Sequence, residues 1–72
     1  MRVGVPAEVK PDEYRVALTP AGAHELVRHG HDVWVQHDAG SGSGLADEAY
    51  ERAGARIGDA EAAWGCDLVL KV

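Results

Sequence analysis

A chain of 72 residues has room for one small domain at most, and a domain of that size buries only about 60% of its unfolded surface. Its single cysteine, Cys66, excludes an internal disulfide and a cysteine-rich zinc site, and fits a reducing, cytoplasmic setting. The net charge of −5, with acidic and basic residues interspersed, disfavours nucleic acid as a partner. No apolar stretch approaches the roughly 18 residues of a membrane span, so no membrane association is expected.

In chain order, Arg2–Val5 is a short β-prone run that stops at Pro6, which has no N–H for a sheet ladder. The start, Met1–Pro6, lacks the apolar core of a secretory signal. Residues 7–18 read as a charged connection, with one helical turn around Pro11-Asp12-Glu13. Thr19-Pro20 is a helix start: the hydroxyl caps a free N–H, and proline at the first helical position loses no bond. Ala23, Leu26 and Val27 share one apolar face. Arg28 and His29 suit the last turn, and Gly30 ends it.

Val33-Trp34-Val35 reads as the second strand and Ala39–Gly44 as a loop. Asp47 is placed to cap a helix running to Ala53 and ending at Gly54. Arg56-Ile57 is a brief third strand. Asp59 caps a third helix that carries Ala62, Ala63 and Trp64 and stops at Gly65. Asp67–Val72 is the last strand, with Leu68-Val69-Leu70 apolar enough to be covered on both faces. The order β-α-β-α-β-α-β predicts an α/β fold with a parallel sheet. The most apolar strand lies at the very end, so the chain is expected to be an incomplete, N-terminal portion of a domain.

Gly40-Ser41-Gly42-Ser43-Gly44 fails the spacing of a dinucleotide fingerprint, and a turning loop is expected in place of a cofactor cradle. His24, His29, His31 and His37 meet no zinc-ligand template, so surface or capping roles are expected and no metal site. No base or helix start is evident to activate Cys66, which reads as a small buried residue. Trp34 and Trp64 read as core. Arg15 stands apart. It lies in the connection leaving the first strand's carboxyl end, where ligands of open α/β sheets sit. Its planar fork can grip a carboxylate through two hydrogen bonds.

The run Met1-Arg2-Val3-Gly4-Val5-Pro6, then Glu8, Lys10, Glu13 and Arg15-Val16-Ala17-Leu18-Thr19-Pro20-Ala21-Gly22, resembles the opening of alanine dehydrogenases. The likeness continues through Gly30-His31-Asp32-Val33, Ala39–Gly44, Tyr50, Ala53-Gly54-Ala55 and Asp67–Val72. The Arg15–Pro20 block is shared with the α part of proton-translocating NAD(P) transhydrogenase, while Pro20-Ala21-Gly22 and Gly30-His31 look more like the dehydrogenase. Ala7 departs from the lysine common after the first proline.

The resemblance implies a Rossmann-like (flavodoxin-like) substrate domain, of which residues 1–72 are the N-terminal part. It implies oxidation of L-alanine to pyruvate and ammonia, with NAD held by a separate domain absent from this chain. It implies a homo-oligomer, typically a hexamer. It matches Arg15 to the substrate-carboxylate ligand. Lys71-Val72 match the first two letters of a K-V-K ending whose functional lysine would come next. No catalytic, cofactor-binding or metal residue is expected within the chain, which alone should be inactive. Two other readings remain: the corresponding part of a transhydrogenase α subunit, and a non-catalytic remnant or interaction domain.

Overall fold

The computed structural model describes residues 1–8 and 16–71. The helical turn expected around Pro11-Asp12-Glu13 lies outside the described residues, and so does Arg15.

Four strands, β1 (Arg2–Val5), β2 (Asp32–Gln36), β3 (Arg56–Gly58) and β4 (Leu68–Val69), form one parallel sheet in the order β3-β2-β1-β4. Helices α1 (Pro20–Arg28), α2 (Asp47–Arg52) and α3 (Ala60–Trp64) connect them in turn. Of the two common doubly wound orders, this is the Rossmann one. The chain steps outward from β1 to β2 to β3, then crosses back through α3 to place β4 on the other side of β1.

Alternation along the strands divides the side chains between two layers. Val3, Val5, Val33 and Val35 face one way and are fully buried with Ala23 of α1 and Tyr50 of α2. Each such valine contributes about 1.5–3 kcal/mol through burial. Gly4 and Trp34, neighbours in register, face the other way. There α3 lies so close that a Cβ on Gly4 would stand 1.8 Å from the Ala63 carbonyl oxygen. Trp34 packs its ring over Gly58 and donates from Nε1 to Asp32, at 3.1 Å. The Arg2 and Arg56 guanidiniums lie 5.8 and 5.5 Å from its ring centre.

The caps follow local chemistry. Thr19 Oγ1 accepts from the Gly22 N–H, and Asp59 Oδ1 from the Ala62 N–H. The turn after α1 closes at Gly30 with φ 87°, and His29 Nδ1 donates to the Glu25 carbonyl at 2.7 Å, giving that histidine a capping role.

Four expectations need correction. Asp47 does not cap α2; Ala46 holds that position, and Asp47 turns its carboxylate back toward the end of β2. The last strand is two residues long, shorter than 67–72. Among the described residues it lies at the edge of the sheet, and Leu68 is 45% exposed and not covered by any packed layer on its face. Trp64 is 51% exposed and not core, because the five-residue α3 buries one narrow face through Ala63. The Lys71 ammonium sits 5.2 Å from the Trp64 ring centre, a cation–π contact that suits a solvent-facing ring.

Candidate functional site

In a parallel sheet whose order reverses, ligands collect outside the carboxyl ends of the strands, where the connections diverge. Here the reversal falls between β1 and β4. Described residues on that rim include Pro6 and Ala7 after β1, Gln36 at the end of β2 and His37 after it, Asp59 after β3, and Leu70 and Lys71 after β4. Pro6 is fully buried, and its ring fixes the direction in which the chain leaves the sheet.

The first free donor beyond Pro6 is the Ala7 N–H. The β1–β2 ladder stops at Val5–Val35, so no strand carbonyl meets it in register. The Gln36 side chain replaces that partner: Oε1 accepts from Ala7 at 2.8 Å. The connection rejoins the described structure at Val16. Val16, Ala17 and Leu18 are half-buried against the core. Tyr50, whose side chain is fully buried, donates from its hydroxyl to the Leu18 carbonyl at 2.7 Å. Burial pushes the Tyr50 phenol above its ordinary pKa of 10.0, with the nearby Asp47 charge adding to the rise, so it stays a donor through the physiological range. Neither Gln36 nor the Tyr50 hydroxyl was visible as a rim element in the sequence.

Next along the rim is a second cluster. His37 Nδ1 bonds Asp47 Oδ2 at 2.5 Å, and its Nε2 lies 3.1 Å from Asp38 Oδ2. Asp47 Oδ1 also accepts from the Asp38 N–H at 2.9 Å. Asp38 sits at φ 63°, a left-handed conformation that aspartate tolerates better than most side chains. The three side chains bring their ligand-type atoms within 4.8 Å of one another. Both imidazole nitrogens face carboxylates, so a protonated His37 would bridge the end of β2 to α2.

The hydrogen bond from Asp47 raises the His37 pKa above 6.5, helped by the charges of Asp38 and Asp47. Because the folded value exceeds the unfolded one, this contribution is complete below about pH 6.5 and fades as pH climbs through the folded value. An NMR titration of the His37 ring should therefore show an elevated midpoint that Asp47→Asn lowers. A midpoint indifferent to that substitution would contradict the bridge.

The glycine-rich loop is a self-bonded turn. Amides of Ser41, Ser43, Gly44 and Leu45 all donate inside the loop, to Asp38, Gly40, Ser41 and Gly40 carbonyls. Gly40 is there for packing: a Cβ would meet the Tyr50 ring at 2.9 Å. Cys66 is half-buried and donates to the Ala62 carbonyl at 3.3 Å; burial raises its pKa and leaves it a protonated thiol.

The fold defines the class first: a Rossmann-like α/β domain with a four-stranded parallel sheet. Residues 4–72 match the family described as "Alanine dehydrogenase/PNT, N-terminal domain", and the chain belongs to that family. Across its whole length it is 52% identical to an alanine dehydrogenase of Bilophila wadsworthia, over 19% of that protein. It is 51% identical to alanine dehydrogenases of Mycobacterium tuberculosis and Bacillus subtilis, over 20% and 19% of those proteins. A solved L-alanine dehydrogenase superposes with TM-score 0.97 at 43% identity, and a transhydrogenase of Sinorhizobium meliloti with TM-score 0.94 at 41%. Each superposition covers 99% of this chain and 20% of the other. The chain thus spans about a fifth of the length of its relatives. No helix among the described residues is long and apolar enough to cross a membrane.

Proposed function

We propose that residues 1–72 form the N-terminal, substrate-side part of an NAD-dependent alanine dehydrogenase, which converts L-alanine, NAD and water to pyruvate, ammonia and NADH. The observation that carries this reading is the identity of about half of all positions, from end to end, with proteins named alanine dehydrogenase. Arg15 holds the substrate carboxylate through its two-pronged fork. That contact orients the amino acid for reaction, and positioning of this kind is worth several kcal/mol of barrier. NAD accepts the hydride and is held by sequence outside this chain. This reading extends to a cytoplasmic homo-oligomer, a hexamer, for the assembled enzyme. The 72-residue chain alone neither oxidises alanine nor binds NAD.

The likeness to a transhydrogenase supports a second reading, hydride transfer between nucleotides with no amino-acid substrate. A hybrid separates the two. Residues 1–72 are fused in place of the matching N-terminal stretch of the Bacillus subtilis relative. The hybrid is expected to form NADH from L-alanine, and the 72-residue chain to form none. A folded hybrid that binds NAD but leaves alanine untouched would favour the transhydrogenase reading.

A further inference from the structure

We draw no further inference here: the strongest candidate, the His37–Asp38–Asp47 side-chain cluster between the end of β2 and the start of α2, belongs to the rim already described, and nothing beside it among the described residues points to a ligand.

Discussion

Gly4→Ala is expected to unfold this chain or to leave it barely folded. The new methyl carbon would stand 1.8 Å from the Ala63 carbonyl oxygen, 2.8 Å from its carbonyl carbon and 3.2 Å from its Cα. All three are backbone atoms of α3, so no rotamer change can relieve the clash. The helix would have to lift away from β1. It has five residues, and Ala63 is its only buried one, so little holds it elsewhere. Overpacking a core commonly costs about 1–3 kcal/mol, and more where backbone must move. A chain of this length has about 4–10 kcal/mol of stability in total. We expect a loss of at least about 3 kcal/mol in urea unfolding. Gly30→Ala is the useful contrast. It has φ 87° but open space around it, so only the left-handed conformation is penalised, by about 1–2 kcal/mol. Equal losses in the two variants would mean that α3 does not approach β1 as described.

The same glycine shows what could and could not be read from the sequence. Gly4 lies in a β-prone run and reads there as an ordinary weak point of a strand. Its necessity arises from a helix 59 positions later, and nothing local announces it. The caps at Thr19 and Asp59, and the stop at Gly30, were legible because each bond closes within three or four residues. The alternation of elements gave the parallel sheet. The reversal that puts β4 beside β1 depends on which faces α1, α2 and α3 cover, and only the packed structure decides that. Asp47 shows local chemistry overridden: it stands where a cap belongs, yet its carboxylate is drawn to the His37 ring and the Asp38 amide. Apolar side chains misled at Trp64 and Leu68, where short elements at the edge of a four-stranded sheet bury one face only. Arg15 stood out in the sequence by its residue type and by family likeness. Gln36 did not, because a polar side chain answering a backbone amide 29 residues away leaves no periodic trace.

Arg15→Lys should reduce kcat/KM for alanine in the hybrid by about a hundredfold, through KM far more than through stability. The charge survives this change and the geometry does not. A guanidinium offers two parallel N–H donors to the two oxygens of a carboxylate, whereas an ammonium acts as a point charge on a flexible stem. Loss of one charge-assisted bond costs about 1.5–3 kcal/mol, which corresponds to roughly ten- to a hundredfold. Looser orientation of the Cα–H bond adds to that. The pattern across ligands is more telling than the size of the effect. Amino acids and keto acids should be weakened together, since they share the carboxylate, while NAD affinity should not change. Methylamine and other amines without a carboxylate should be insensitive to the substitution. Were Arg15 instead a surface charge of an inert domain, the hybrid would lose nothing, and Tm and both KM values would stay where they were. An intermediate result, with KM for NAD rising and KM for alanine constant, would move the guanidinium from the amino acid to the nucleotide, as the transhydrogenase reading requires.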